Sequence, residues 1–228
     1  MIKLNEVWGT VFYARRLLQD RAQRRHTAQW LFSLRANYLI NKPSPWMTFD
    51  TIAYLRQRVR PGWRVFEYGS GGSTLFWLSR GASCVSVEYD AEWYTRIQAR
   101  LRAGWPVDYR LVTPEKTGVE GDPADPGAYC SSLPEMRGKN FRRYAAQIDE
   151  FPDNTFDLVI IDGRVRNSCI VHAAPKVRPG GLLVLDNAER PHYLAQTAPL
   201  LRDFACIPMY GAVPTHYHYE HTNIYIKP

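Results

Sequence analysis

Apolar residues recur at helical spacing through residues 6–40, where Val11, Leu17, Leu18, Trp30, Leu31, Leu34 and Leu39 alternate with arginines. Pro43 and Pro45 end this region. Residues 48–59 predict a second amphipathic helix, with Phe49, Ile52, Ala53, Leu55 and Val59 on its apolar side and Pro61-Gly62 closing it. After that the period changes. Short β-branched and aromatic runs at 64–68, 83–88 and 107–112 predict strands, with helices at 73–80 and 91–103 between them. Residues 113–140 are rich in proline and glycine and read as a long loop, and 141–150 as a short helix. Phe156–Ile161, apolar except for Asp157, predicts a strand buried on both faces. A helix at 167–177, a turn at Pro179-Gly180-Gly181, a strand at 182–185, a helix at 189–203 and strands at 205–210 and 222–226 complete the chain.

Strands alternating with helices imply an α/β, doubly wound, mostly parallel sheet with helices on both faces. The expected organisation is an N-terminal helical extension, residues 1–42, followed by one domain, residues 43–228. In such sheets ligands bind beyond the carboxyl ends of the strands. That rule selects residues 67–74, 88–90, 162–166 and 186–193.

Charge refines the picture of the extension. The chain carries a formal net charge of +7, and residues 1–42 hold eight basic residues against two acidic ones. The basic character therefore belongs to the extension and not to the predicted ligand edge, which argues against nucleic acid as a partner. A packed cap, a homodimer element and peripheral contact with an anionic membrane stay open for this segment, the first two favoured because its arginines circle the helix. No apolar run approaches the roughly 20 residues of a membrane-spanning helix, and the N-terminus lacks a secretory signal, so a cytoplasmic protein is expected. The cysteines, Cys84, Cys130, Cys169 and Cys206, form no C-x-x-C pair. Cys84, Cys169 and Cys206 sit in apolar sequence and are expected to be buried reduced thiols.

The candidate chemistry begins at Glu67-Tyr68-Gly69-Ser70-Gly71-Gly72-Ser73, where the first strand ends. Glycines let the backbone turn sharply and let a ligand approach it. A dinucleotide loop would place its third glycine at 74, which is Thr74. An acid two places before the first glycine suits a ligand with an ammonium group instead. The second strand ends in Glu88-Tyr89, 21 residues beyond Glu67. A carboxylate there can accept ribose hydroxyls, and Tyr89 can lie against a base.

With Asp162-Gly163 after the fourth strand and Pro179-Gly180-Gly181 before the fifth, the chain resembles the class I S-adenosylmethionine-dependent methyltransferases from about Pro45 to its end. One departure is that the third loop glycine falls at Ser73, with an extra glycine at Gly72. The resemblance implies a Rossmann-like, seven-stranded sheet with an antiparallel last strand. It also implies S-adenosylmethionine held by residues 67–73, Glu88, Tyr89, Asp162 and Gly163. A narrower resemblance is to catechol and metal-dependent sugar O-methyltransferases, which hold magnesium on an acid after strand four and an acid–amide pair after strand five. Here those places are Asp162 and Asp186-Asn187, and Mg2+ is the candidate ion, with helix capping by Asp186-Asn187 as the alternative.

The Asn/Asp-Pro-Pro-aromatic motif of exocyclic-amine methylation is absent after Ile161, where Asp162-Gly163-Arg164 stands. The expected reaction is methyl transfer to a hydroxyl of a small acceptor such as a sugar or polyol. RNA or protein methylation and a non-catalytic binding module are the alternatives. Asp162 and His192 are the catalytic candidates, His192 as a neutral base. His216, His218 and His221 read either as a metal cluster or as a hairpin carrying substrate contacts.

Overall fold

The computed structural model describes residues 4–228. Its centre is a seven-stranded sheet formed by β1 (Arg64–Tyr68), β2 (Ser83–Glu88), β3 (Val107–Leu111), β4 (Phe156–Ile161), β5 (Val177–Asp186), β6 (Ala205–Ala212) and β7 (Tyr219–Ile226). In space the strands run β3-β2-β1-β4-β5-β7-β6. The neighbours from β3 to β5 are parallel, and β7 is antiparallel to both β5 and β6. The expected doubly wound sheet with an antiparallel last strand is therefore present. The order reverses between β1 and β4, and that is where a crevice opens at the strand ends.

The pleat divides the central strands between two cores. Phe66 and Tyr68 of β1, Val159 and Ile161 of β4 and Leu183 and Leu185 of β5 face one side, against Phe141, Tyr144, Cys169 and Ile170. Val65, Leu158, Ile160, Leu182 and Val184 face the other, against Leu55, Phe76, Trp77 and Leu78. Period-two alternation thus puts Val65 and Glu67 on one face and Phe66 and Tyr68 on the other. Helices α4 (Phe49–Arg58) and α5 (Gly72–Ser79) contribute to the second core, and α7 (Arg142–Ala145) and α8 (Arg166–Ala173) to the first. α6 (Ala91–Gln98) flanks β2 and β3.

The predicted helical region 6–40 is broken into α1 (Leu4–Gln19), α2 (Thr27–Ser33) and α3 (Tyr38–Asn41). Asp20 breaks it: its Oδ1 accepts the N–H groups of Ala22 and Gln23 at 2.9 and 3.2 Å, a turn that competes with the helix. Tyr13, Leu17 and Trp30 then pack on Phe49, Ile52 and Ala212. The opposite side of α1 is open, with Trp8 68% and Phe12 72% exposed beside Val7 and Val11.

Three other expectations shift. Pro179-Gly180-Gly181 lies inside β5 as an irregularity, where pairing jumps from Phe156↔Val177 to Leu158↔Leu182. The helix expected over 189–203 shrinks to α9 (Pro191–Leu194) and a 3₁₀ turn at Ala198–Leu201. Cys206 is exposed, while Cys84 and Cys169 are buried as expected; position 206 lies on edge strand β6, whose one sheet neighbour is β7. The long loop 113–140 contains a two-residue ribbon pairing Glu115–Lys116 with Lys139–Asn140. It is tied to α8 by Asn167 Nδ2, which donates to the Pro123 carbonyl at 2.9 Å, and by Ser168 Oγ, which donates to that of Pro126 at 2.7 Å. No helix among the described residues is long and apolar enough to cross a membrane.

Candidate functional site

A cavity of about 840 Å³ opens over the carboxyl ends of β1, β2, β4 and β5. Its floor is the loop Gly69–Ser73. The loop's shape follows from two contacts. Gly69 has φ of +89°, and a Cβ on it would lie 2.8 Å from Gly163 Cα, so the β1 and β4 ends touch backbone to backbone. A Cβ on Gly72 would run into the carbonyls of Leu39 and Ser44, so the departure at 72–73 has a steric cause: the extension approaches the start of α5 too closely for a side chain. Thr74 Oγ1 accepts the Gly71 N–H at 3.1 Å and caps the helix from inside. Trp93 Nε1 donates to the Ser70 carbonyl at 2.7 Å and fixes the outer side of the loop.

Glu67 and Tyr68, expected to hold cofactor, do not line the cavity. Glu67 follows the pleat into the core beneath α5 and is fully buried. Its carboxyl accepts from Thr74 Oγ1 at 2.5 Å, Trp77 Nε1 at 2.9 Å and Ser86 Oγ at 2.8 Å. Burial raises its pKa against those hydrogen bonds. Glu67 therefore braces the glycine loop and touches no ligand space. Tyr68 points to the opposite core, where its hydroxyl donates to the Ala145 carbonyl at 2.6 Å. The alternation of 65–68 carries this signal in the sequence.

Glu88 is where it was expected, at the cavity wall. Oε1 accepts the N–H groups of Tyr89 and Asp90 at 2.8 and 2.9 Å. Oε2 accepts the N–H and the hydroxyl of Ser70 at 3.0 and 2.8 Å. These bonds use the four lone-pair sites of a carboxylate. Ser70 Oγ also lies 2.7 Å from Tyr109 Oη. Turning its proton there frees one site on Glu88, enough for one ligand hydroxyl. Tyr89 lines the same wall, its hydroxyl accepting from Arg164 Nε at 3.0 Å.

The set Asp162, Asp186 and Asn187 does not fit a magnesium ion. Arg166, 6% exposed, supplies the positive charge itself. Its guanidinium lies 2.9 Å from Asp162 Oδ1 and 3.4 Å from Asp186 Oδ2, and donates to the Asp186 carbonyl as well. Asp186 Oδ1 is taken by Thr222 Oγ1 at 2.7 Å. Asn187 turns its amide to Glu220 Oε2 at 3.2 Å. Burial, then the nearby Asp186, push Asp162 well above the usual carboxylate range, while Arg166 opposes them. The arginine four residues past Asp162 carries no sequence signal for this role; its inward turn needs the start of α8.

His192 is held apart from the main cavity. It lies on α9 facing Pro123, Cys130, Ser131 and Ser132, and shares only Gly163 and Arg164 with the larger space. Burial, then the charges of Arg190 and Arg166, lower its pKa. The structure brings residues to the cavity that the sequence did not single out: Asn37, Tyr38 and Trp46 from the extension and its linker, Trp93 and Arg96 from α6, and Glu220 from β7. Those from 37–46 had no local signal, because the wall they form exists only once α3 packs on α5.

The sequence matches no protein-family model and no curated protein. Solved structures do match. A methyltransferase-like protein from Silicibacter pomeroyi superposes with a TM-score of 0.51 and 20% identity, over 82% of this chain and 89% of that one. The chain has the class I methyltransferase fold. A precorrin-6y C5,15-methyltransferase from Geobacter metallireducens matches with TM-score 0.47 and 15% identity, over 78% of this chain and 87% of that one. A predicted O-methyltransferase from Agrobacterium tumefaciens matches with TM-score 0.42 and 16% identity, over 72% and 74%. The cavity has one side at Glu88 and the glycine loop and an outer side bounded by Asn187, His216 and Glu220.

Proposed function

We propose that this chain is an S-adenosylmethionine-dependent methyltransferase acting on a hydroxyl of a small polar acceptor, such as a sugar or polyol. The observation that carries the reading is one continuous cavity. It joins the glycine loop and Glu88 to a second polar end at Asn187, His216 and Glu220. Its volume is in the range of small-molecule sites, roughly 300–1,000 Å³. When bound, S-adenosylmethionine supplies a methyl group on sulfonium. In this reading Ser70 and Glu88 bind the ribose, Tyr89 lies against the adenine, and the glycine loop passes beneath the chain that carries the sulfonium.

The protein's own part is positioning and electrostatics. Placing acceptor oxygen, methyl carbon and sulfur in line is worth on the order of 7–11 kcal/mol in model systems. Asp162 borders the cavity with its Oδ1 held by Arg166, so it orients groups through the β4 end. Arg164 and Arg190 line the cavity, and among the described residues neither has a carboxylate closer than the 3.9 Å Glu189–Arg190 pair. They favour an acceptor with hydroxyls and a negative charge.

The test is incubation of the protein with methyl-labelled cofactor and separate pools of sugars, polyols, RNA and protein, read by mass spectrometry. Label in a hydroxylated small molecule is expected. Label only in RNA or protein overturns the acceptor class, and cofactor that does not bind overturns the activity.

A further inference from the structure

We infer that His216, His218 and Glu220 form a binding site for a borderline divalent transition-metal ion of the zinc type, at the outer end of the cavity. One donor atom from each residue lies within 4.8 Å of the others, the only such group of three among the described residues. His216 Nδ1 is 2.6 Å and His218 Nε2 is 3.0 Å from Glu220 Oε1. Donors at about 2.0–2.2 Å from a tetrahedral ion stand roughly 3.3 Å apart, so small rotations convert these contacts into a ligand set. Two imidazoles and one carboxylate select zinc, cobalt, nickel or iron over magnesium and calcium, which take oxygen.

The surroundings are those of a prepared site. Glu220 is buried, and its second oxygen accepts from Asn187 Nδ2 at 3.2 Å, the supporting bond that orients a ligating carboxylate. His216 lies against the Trp46 ring at 4.7 Å between centroids. The two imidazoles stack 4.8 Å apart at 24°. The backbone that carries them is held from the N-terminal extension. Trp30 Nε1 donates to the His216 carbonyl at 2.7 Å, Tyr13 Oη to the His218 carbonyl at 3.0 Å, and Ser33 Oγ accepts the Thr215 N–H at 2.9 Å. The His218 side chain is 62% exposed, so burial does not hold its ring on the carboxylate.

His216 and Glu220 line the cavity, so the ion's remaining positions face the space assigned to the acceptor. An acceptor hydroxyl bound there loses its proton more readily, because the ion stabilises the alkoxide. That role rests on the methyl-transfer reading; the site itself does not.

The experiment uses the full chain stripped with chelator and titrated with zinc alone by calorimetry, and with cobalt alone by visible absorption. One ion per chain is expected, with cobalt bands of mixed nitrogen and oxygen ligation. Glu220→Gln and His218→Ala should each weaken binding by at least about tenfold, and His221→Ala should leave it unchanged. His218 is exposed, so its variant tests the site even where Glu220→Gln disturbs the hairpin. No stoichiometric ion in the wild type, or wild-type affinity in His218→Ala, overturns the inference. Neither result depends on cofactor or acceptor, so a failure here is separate from a failure of methyl transfer.

Discussion

Arg166 sits on Asp162 at 2.9 Å, four residues before it in the chain, with Asp186 on its far side at 3.4 Å. Two acids at adjacent strand ends are thereby held by one internal cation. Removing that cation leaves the buried Asp186 and the half-buried Asp162 facing each other, and breaking a buried pair typically costs about 3–5 kcal/mol. Arg166→Met is expected to lower the thermal midpoint sharply, and Asp186→Asn in the same chain to recover part of the loss. A single variant that melts like the wild type would show that another group neutralises the pair.

Glu67 gives a pH-dependent prediction. Its pKa is raised in the folded state by burial, so the folded chain binds that proton more tightly than the unfolded chain. Stability then falls as pH rises from the unfolded value toward the raised one, and the loss is complete above it. Glu67→Gln removes the titration; its carbonyl oxygen can still accept from Trp77 Nε1, and its amide NH2 can donate to the hydroxyls of Thr74 and Ser86, which turn to accept. Its advantage over wild type in urea denaturation should grow with pH across that window. Glu67→Leu orphans those donors, at about 1–3 kcal/mol each, and should destabilise at every pH. A flat difference between wild type and Glu67→Gln would show that Glu67 does not titrate there.

Much of the scaffold was legible, and the reasons differ by element. The β4 run Leu158–Ile161 reads as a doubly buried strand and is one, because only apolar side chains satisfy both cores. Glu88 ends β2 at the cavity because the crevice lies beyond the carboxyl ends of the parallel strands, beside the reversal between β1 and β4. Glu67 was misplaced by attending to its spacing from the glycines and not to its parity with Val65. The acids at 162 and 186 were correctly brought together, but their partner comes from the first turn of α8, and no spacing rule says that an arginine turns inward. The helix over 189–203 failed because its apolar period is interrupted by Pro191 and Pro199, and tertiary contacts took over.

Glu88 should matter to cofactor affinity in a graded way. Three of its four bonds come from backbone N–H groups, and one exchangeable bond comes from Ser70 Oγ. One charge-assisted bond to a ligand hydroxyl is worth about 1.5–3 kcal/mol, or roughly ten- to hundredfold in affinity. Glu88→Ala is expected to lose at least that much for S-adenosylmethionine by calorimetry. Ser70→Ala should lose less, since Glu88 then has a lone pair permanently free. Unchanged affinity in Glu88→Ala would remove the ribose assignment.

The N-terminal extension separates into two faces with opposite expected behaviour. Trp30 is fully buried among Tyr13, Leu17 and Phe49, and its indole N–H holds the His216 carbonyl. Gln23 adds a second tie, accepting the Ala212 N–H at 2.9 Å and donating to the Tyr210 carbonyl at 3.3 Å. These bonds join the first 40 residues to the hairpin between β6 and β7, so the extension is a scaffold for the outer end of the cavity. Trp30→Ala should cost about 3–5 kcal/mol, the usual range for emptying a buried aromatic site. Deleting residues 1–42 exposes Phe49 and Ile52 and should abolish the cooperative melt. Phe12, on the open side of α1, makes no such contribution, and Phe12→Ser should change stability by less than about 0.5 kcal/mol. Thermal and urea denaturation of the three variants checks the division. A Phe12→Ser loss as large as that of Trp30→Ala would mean that the open face of α1 is covered in solution, and sedimentation at several concentrations would then show whether a second copy covers it.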